Sequence, residues 1–336
     1  MQRTMALKTL SSLLLAVLIL FAPSAASARP DAAYSYYEIG DLAAKRSAPT
    51  APALMLVGGG DWDYSAFRWF AERAGHGHIV VLRASGEGQA GEEIYNQVGG
   101  VASVRTIVFH SRAASTDPRV LAILAKADGI FLAGGDQANY VRYWKGTPVA
   151  RALDAHVRAG RPIGGTSAGL AILGGTGYGA MDGGSIDSPA ALADPGGPAV
   201  TLVTGFLHMP RLAHVVTDTH FARRDRLGRL VAFVAKARLH DPRAVGLGVD
   251  EGAALCVEAD GKAKLHTPPG GHAWLVQPAA PARIRAGKPL DWNNVKITGI
   301  GPEGALDLNT LRVTRPAFTG VAKVSGGKLI GAPGPK

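Results

Sequence analysis

The chain has 336 residues, a formal net charge of +10 and a single cysteine, Cys256. This length can bury a large core, and one cysteine excludes an internal disulfide, so we expect one large domain or one domain with an appendage. Basic residues are dispersed except near 223–229, and no lysine run is interleaved with aromatics, which argues against a nucleic-acid partner.

Residues 1–28 are predicted to be a secretory signal peptide. Arg3 and Lys8 precede a short apolar run at 13–21, and residues 26–28 fit an A-x-A cleavage site. A membrane anchor is the alternative, but the run is shorter than the roughly 20 residues that a spanning helix needs. We therefore expect an exported protein, periplasmic or extracellular, without stable membrane association after cleavage.

Residues 51–262 contain apolar strands that alternate with amphipathic helices, behind a predicted N-terminal arm at 29–50. Continuously apolar strands separated by helices are typical of a parallel sheet covered on both faces, which is the α/β class. Strands are expected at 53–57, 78–82, 104–109, 129–133 and 162–163, and helices at 64–73, 118–126 and 149–159.

Gly-rich turns follow three of these strands, at 58–60, 134–135 and 164–165. Ligands of such sheets bind beyond the carboxyl ends of the strands. The three turns therefore predict one shared cleft rather than three unrelated loops.

The rest of the chain differs in character. Residues 174–198 are rich in Gly, Asp, Ser and Pro and are predicted to be a long loop. Residues 245–249 and 253–257 are predicted to be a hairpin-like pair around Asp250-Glu251-Gly252. Residues 263–336 are predicted to be a β-rich C-terminal extension that packs on the α/β domain or continues it.

Ser167 is the candidate nucleophile. With Gly165 and Gly169 it forms a G-x-S-x-G pattern, which is typical of a sharp strand-to-helix turn that exposes the hydroxyl. Backbone N–H groups of Ala168 and of the turn at 58–60 are expected to hold an oxyanion. The alternative is a Gly-rich loop whose serine caps the next helix.

His220 is the candidate base, because a serine hydroxyl needs a base within hydrogen-bond reach. It follows an apolar run at 213–216, which places it at another carboxyl-end rim. The alternative is a histidine at a helix N-terminus that bonds to the backbone. Four arginines follow it: Arg223, Arg224, Arg226 and Arg229.

Four motifs occur together, in this order: Gly134-Gly-Asp-Gln137, Gly165-Thr-Ser-Ala-Gly169, Asp218-x-His-Phe-x-x-Arg224-x-Arg226-x-x-Arg229 and Gly246-Leu-Gly-Val-Asp-Glu251. Over about residues 52–260, the sequence resembles serine peptidase family S51, the family of cyanophycinases. The resemblance implies a class I glutamine amidotransferase-like fold, with a flavodoxin-like parallel sheet and helices on both faces. It also implies a Ser–His hydrolase that needs no metal and no cofactor.

The resemblance places an acidic third catalytic residue in the loop between Ser167 and His220. Asp187 lies nearest the family's position and is the favoured choice, with Asp182 next and Asp194 as a third candidate. The alternative is that all three are loop or turn aspartates.

The family's substrate-binding residues carry over to Gln137, Asp218, Arg224, Arg226 and Arg229. Arginine forks pair with carboxylates, and Asp218 is expected to receive a guanidinium. The predicted function is an exported serine peptidase that hydrolyses cyanophycin or related aspartyl-arginine polymers to β-Asp-Arg dipeptides through an acyl-enzyme. Thr219 stands where the family has glutamine, and the shorter side chain puts cyanophycin itself in question as the substrate. An aspartyl dipeptidase-like exopeptidase is therefore one alternative, and a non-catalytic amidotransferase-like binding protein is another. A homodimer is the candidate assembly.

Overall fold

The computed structural model describes residues 33–335. The predicted signal peptide at 1–28 lies outside these residues. Within the described range, no helix has the length and the apolar character that a bilayer-spanning segment requires.

Strands dominate the described chain, and most helices lie in its first two thirds. The strands are β1 (Tyr34–Gly40), β2 (Leu54–Val57), β3 (His78–Arg83), β4 (Ser103–Phe109), β5 (Gly129–Leu132), β6 (Ile163–Thr166), β7 (Thr176–Tyr178), β8 (Leu202–Thr204), β9 (Val215–Asp218), β10 (Val245–Val249), β11 (Ala254–Val257), β12 (Lys262–His266), β13 (Ala273–Pro278), β14 (Trp292–Ile300), β15 (Ala305–Asp307), β16 (Arg312–Thr314), β17 (Phe318–Ser325) and β18 (Lys328–Ile330). The α-helices are α1 (Tyr64–Arg73), α2 (Gln89–Glu93), α3 (Pro118–Ala125), α4 (Gln137–Trp144), α5 (Pro148–Arg158), α6 (Ala168–Ala171), α7 (Ser188–Ala193) and α8 (Leu227–Ala237).

The first sheet has ten strands in the order β1-β4-β3-β5-β6-β2-β11-β12-β15-β16. The strands from β4 to β2 are parallel to one another, and they form the centre of the sheet. The α/β prediction is confirmed. Because parallel strands all end at one edge, the Gly-rich turns after β2 and β5 lie at the same edge as Ser167, which follows β6. Gly164 and Gly165, predicted to form a third turn, instead lie within β6.

The second sheet has eight strands in the order β18-β17-β14-β13-β10-β9-β7-β8. Its strands β7, β9 and β10 are parallel, and the C-terminal strands β13, β14, β17 and β18 extend it in antiparallel pairs. Strands β12, β15 and β16 extend the first sheet in the same antiparallel manner. The β-rich C-terminal part therefore continues both sheets.

Three apolar clusters hold the layers together. One fills the space between the facing sides of the two sheets and continues under α3, α4 and α5. A second lies under α1 on the outer face of the first sheet, and a third lies under α8 on the outer face of the second sheet. Neighbours such as Met55 and Leu56 enter different clusters, as expected of strands whose successive side chains point to opposite faces.

The alternation of large residues and glycines in β10 matches its position between the core of the two sheets and helix α8. Its three larger residues face the core between the sheets, whereas Gly246 and Gly248 face the opposite way. A Cβ on Gly248 would lie 2.4 Å from the ring of Phe221, and one on Gly246 would lie 2.8 Å from Leu230 Cγ. The two glycines therefore let Phe221 and α8 pack directly on the strand.

The predicted hairpin of β10 and β11 is wrong. β10 pairs with β9 and β13 in the second sheet, whereas β11 pairs with β2 and β12 in the first sheet. The chain thus crosses from one sheet to the other through Asp250-Glu251-Gly252. Both strands are buried along their whole length, so their apolar pattern did not distinguish a hairpin from a crossing.

Other differences involve mostly short elements. The predicted arm at 29–50 contains β1, which pairs antiparallel with β4 at the sheet edge. The predicted loop at 174–198 contains β7 and α7, and the eight-residue helix α4 follows the second Gly-rich turn without having been expected. Periodicity over so few residues is a weak signal, and tertiary packing decided these segments.

We predict that Leu230→Ala lowers the free energy of unfolding by about 2–5 kcal/mol, because it removes a fully buried side chain between α8 and β10. Leu239→Ala is the matched control. Leu239 is 54% exposed just after α8, and its loss should change stability by less than about 0.5 kcal/mol. Urea denaturation followed by circular dichroism measures both, and equal losses would contradict the packing described here.

Candidate active site

Ser167 occupies a strained turn between β6 and α6. Its φ of 52° lies in the left-handed region, which residues with side chains rarely adopt. A Cβ on Gly165 would lie 2.7 Å from the carbonyl of Gly169, and one on Gly169 would lie 2.0 Å from the carbonyl oxygen of Leu132. The two glycines of the motif thus allow strand and helix to meet tightly and hold the hydroxyl at the sheet edge.

His220 faces this hydroxyl from the second sheet. Its Nε2 lies 2.8 Å from Ser167 Oγ. The backbone of His220 has a φ of 46°, and its N–H donates to the carbonyl oxygen of Gly58 at 2.7 Å. A Cβ on Gly59 would lie 2.4 Å from the imidazole Cε1, so the turn after β2 supports the ring only because it has no side chain there.

Glu251 supplies the carboxylate of the site. Its Oε1 lies 2.5 Å from His220 Nδ1, and its Oε2 lies 3.2 Å from Arg223 Nε. Glu251 follows β10 and His220 follows β9, and these strands are parallel neighbours that end at the same edge. Ser167, His220 and Glu251 form one continuous chain of hydroxyl, imidazole and carboxylate.

Asp187, the carboxylate favoured from the sequence for this place, lies elsewhere. It caps α7 by accepting the N–H of Ala190 at 2.8 Å. Asp194 accepts the N–H of Gly287 at 3.1 Å, and within the described residues the carboxylate that hydrogen-bonds His220 is neither of these nor Asp182. The geometry therefore replaces Asp187 by Glu251, and the chain order becomes serine, histidine, acid.

The surroundings of His220 favour its neutral imidazole over the imidazolium. Burial is the largest effect and lowers the pKa of His220 below its usual value of 6.5. The hydrogen bond with Glu251 raises this pKa, while the positive charges of Arg224 and Arg226 lower it. The contacts fit a tautomer that donates from Nδ1 to Glu251 and accepts from Ser167 at Nε2, which is the form a general base requires.

Ser167 and His220 open onto a cleft of about 470 Å³. Three arginines and one carboxylate give its lining a net positive charge, so it should attract anionic groups. Within residues 33–335, no group of three or more His, Cys, Asp or Glu side chains is arranged to hold a metal ion. The other polar lining residues are Asp136, Gln137, Arg142, Ser185, Thr219, Arg224 and Arg226.

Asp218 and Arg229, both expected to bind substrate, are paired with each other behind the cleft wall. Arg229 donates to both carboxylate oxygens of Asp218, at 2.8 and 2.5 Å, and neither side chain is more than 3% exposed. Arg229 Nη1 also donates to Ser185 Oγ at 2.7 Å and to the carbonyl oxygen of Ile186 at 3.0 Å. The expectation that Asp218 receives a substrate guanidinium is corrected, because this pair instead fixes the loop that forms one wall.

Gln137, Arg224 and Arg226 do line the cleft. Gln137 Nε2 donates to the carbonyl oxygen of Tyr178 at 2.5 Å. Arg226 Nη1 donates to the carbonyl and hydroxyl oxygens of Thr219, at 2.8 and 3.1 Å. Burial lowers the pKa of Arg226 to about 10, which leaves it charged at neutral pH. Arg224 is half exposed at the mouth.

Sequence reasoning missed three residues of this site. Glu251 had a usable signal, since it ends the fourth motif and directly follows an apolar strand. Asp136 lies inside the first motif, between two residues already singled out. Arg142 had no local signal, because only the unexpected helix α4 carries it to the cleft.

Comparison with known proteins identifies the family of this chain. The model of peptidase family S51 matches residues 92–265, about half of the chain, so the chain belongs to that family. A cyanophycinase from Synechococcus elongatus is 32% identical over 203 residues, which cover 58% of this chain and 58% of that protein. A cyanophycinase from Trichormus variabilis is 29% identical over 223 residues, covering 63% of this chain and 70% of that one.

A solved structure shares the fold. The crystal structure of a peptidase from an acI-B1 actinobacterium superposes with a TM-score of 0.50 at 16% sequence identity. The superposition covers 76% of this chain and 97% of that chain. At this identity the likeness concerns the arrangement of strands and helices alone.

We predict that Asp218→Ala costs about 3–5 kcal/mol of stability, because it leaves the positive charge of Arg229 buried without the carboxylate that balances it. Asp260→Ala, which removes the exposed partner of Lys262, is the control and should change stability little. Thermal and urea unfolding measure both. A small loss in Asp218→Ala would contradict a buried, uncompensated arginine.

We predict that the rate at which a fluorophosphonate labels Ser167 falls at acid pH with a midpoint below 6.5, since the pKa of His220 is lowered and only the neutral imidazole accepts the proton. Arg224→Gln removes a charge that lowers this pKa, so the midpoint should move up toward 6.5. Labelling needs no peptide substrate, which separates this effect from binding. A midpoint above 6.5, or a downward shift in the variant, would refute the assignment.

Proposed function

We propose that this protein is a serine peptidase with Ser167 as nucleophile, His220 as general base and Glu251 as the carboxylate that orients the imidazole. One observation carries the proposal: the unbroken hydrogen-bonded path from Ser167 Oγ through both ring nitrogens of His220 to Glu251 Oε1. A serine that merely capped α6 would need neither the imidazole nor the carboxylate behind it, and no side-chain cap bond is made by Ser167.

The reaction follows from the positions of these groups. Ser167 Oγ attacks the amide carbonyl while His220 Nε2 takes the hydroxyl proton. Glu251 stabilises the imidazolium that forms. His220 then returns the proton to the leaving amine, and the acyl group stays on Ser167 as an ester. Water, activated by the same imidazole, attacks this ester and releases the acid.

Backbone N–H groups beside Ser167 are the candidates for stabilising the oxyanion. The N–H of Ala168, next in the chain, has no hydrogen-bond partner among the described residues. The second group is best assigned to the turn after β5, because Gly135 lines the cleft and a Cβ on Gly134 would be 3.4 Å from Ser167 Cβ. The turn at 58–60, expected from the sequence to do this, instead contacts His220 and Glu251.

The charges in the cleft support a substrate with carboxylates near the scissile amide. Arg142, Arg224 and Arg226 line the cleft, and guanidinium groups pair well with carboxylates. Asp136 caps α4 by accepting the N–H of Ala138 at one carboxylate oxygen, and its other oxygen is left for a substrate guanidinium, since Asp218 is occupied by Arg229. Aspartyl-arginine polymers such as cyanophycin carry both groups, and the similarity to cyanophycinases favours them as the substrate class.

Two alternatives make different predictions. An exopeptidase for short aspartyl peptides would release products from dipeptides and leave the polymer intact, and Thr219 in place of glutamine is the residue that favours it. Mass measurement of the products from purified cyanophycin and from Asp-containing dipeptides separates the two. Release of β-Asp-Arg from the polymer supports the cyanophycinase type.

Export through residues 1–28 is tested by sequencing the N-terminus of the protein recovered from the periplasm and medium.

We predict that Ser167→Ala abolishes turnover and that Glu251→Gln lowers kcat about 10²–10⁴-fold, because the amide no longer holds the imidazole in the required tautomer. Initial rates on the polymer measure both. The fold should be retained, which circular dichroism checks.

Asp187→Asn is the matched control for Glu251→Gln. It makes the same change from carboxylate to amide at the residue favoured by the sequence, and asparagine is an equally good N-cap for α7. It should leave kcat within about twofold. A large loss in Asp187→Asn with little loss in Glu251→Gln would reverse the assignment, and turnover by Ser167→Ala would end it.

A further inference from the structure

More than half of the net positive charge of this protein lies in its C-terminal segment, because acidic residues are few there. Residues 279–336 hold nine of the 36 Lys and Arg residues but only three of the 26 Asp and Glu residues, which gives this segment a net charge of +6 out of +10. Nothing in the catalytic cleft uses these residues. The matched S51 region ends at residue 265, before this segment begins.

Several of these cations surround one groove of about 800 Å³. It is lined by the connection between β13 and β14, by the start of β14 and by the end of β17. Its charged residues are Arg283, Arg285, Lys288, Asp291 and Lys323. Within the described chain none of its four cations forms a salt bridge. The carboxylate of Asp291 accepts the N–H of Gly326 at 2.7 Å.

Four unpaired cations in one concavity favour an anionic occupant, because a low-dielectric wall focuses their field. The groove offers no aromatic face for stacking bases, since Trp292 is 3% exposed and its N–H donates to the carbonyl oxygen of Ala280. A lipid bilayer would meet a protruding surface more readily than a concave one. A flexible chain of anionic groups fits the shape and the charge.

The groove is tied to the catalytic cleft through α7. The N–H of Leu290, between two groove residues, donates to the carbonyl oxygen of Leu192 at 2.9 Å. Ser185, in the cleft wall, lies seven residues before Leu192. Even fully extended, that stretch would span at most about 25 Å, and α7 shortens it. A polymer of roughly ten extended residues is therefore long enough to reach from one site to the other.

We propose that this groove is a second binding site for the carboxylate groups of a peptide polymer, and that it holds the chain while the cleft cleaves it. The choice of carboxylates over phosphates rests on the proposed function, because the cleft is assigned to aspartyl polymers. Two weak sites on one chain raise its effective concentration at the second site. The groove therefore acts on long substrates and leaves dipeptides unaffected.

Direct binding tests the groove without any hydrolysis. Fluorescent poly-L-aspartate of about 20 residues is titrated onto full-length Ser167→Ala at low salt, alone and combined with Arg283→Gln and Arg285→Gln. Removing two groove cations should weaken binding roughly tenfold. The control combines Ser167→Ala with Arg312→Gln and Arg315→Gln, which remove the same charge from exposed residues outside the groove, and it should stay within about twofold.

Two kinds of result would overturn the proposal, and a third bears on the proposed function alone. Equal weakening in the groove and control variants would mean that only the overall charge matters. Tighter binding of a 20-nucleotide single-stranded DNA, or of phosphatidylglycerol vesicles, with the same loss in the groove variant would assign the groove to nucleic acid or to lipid. Failure of the serine enzyme to hydrolyse any aspartyl polymer would contradict the proposed function, yet it would leave these binding results to be judged separately.

Discussion

The active site depends on the crossing of the chain between the two sheets at Asp250-Glu251-Gly252. The N–H of Gly252 donates to Gly59, and the N–H of Gly58 donates to Ala253, so the crossing is bonded to the turn after β2. The same turn accepts the N–H of His220. Residues from both sheets thus enclose one imidazole, and neither sheet alone could hold a hydroxyl and a carboxylate on opposite sides of it.

Buried charged side chains hold the segments around this site together. Removing them from water costs free energy, which their hydrogen bonds and ion pairs offset. Asp250 accepts the N–H groups of Ala222, His272 and the Trp274 indole, which ties the crossing to β13 and to the segment after His220. Asp218 and Arg229 do the same for the loop at the cleft wall. These groups shape the site without lining the cleft. They are fully hydrogen-bonded or paired because an unpaired charge is too costly to bury.

The C-terminal strands connect the region matched by the family model to a basic groove that lies outside it. They continue both sheets, so the loops they carry are held by the same cores as the catalytic edge. Trp292 and Val324 fix the floor of the basic groove within the apolar cluster that also contains α8. A rigid scaffold of this kind lets two separate charged concavities keep a constant distance, which a flexible appendage would not.

The sequence by itself determined the parallel strands, the turn that presents Ser167 and the strand end that presents His220, because these depend on local apolar pattern and on glycine geometry. Only the tertiary structure decided which carboxylate meets His220 and which arginine meets solvent. Glu251 and Asp187 both stand at the ends of short elements, and one became a partner of the imidazole because β10 lies beside β9 while the other became a helix cap. These contacts depend on pairing between strands that are distant along the chain. A local sequence pattern does not determine which strands become neighbours.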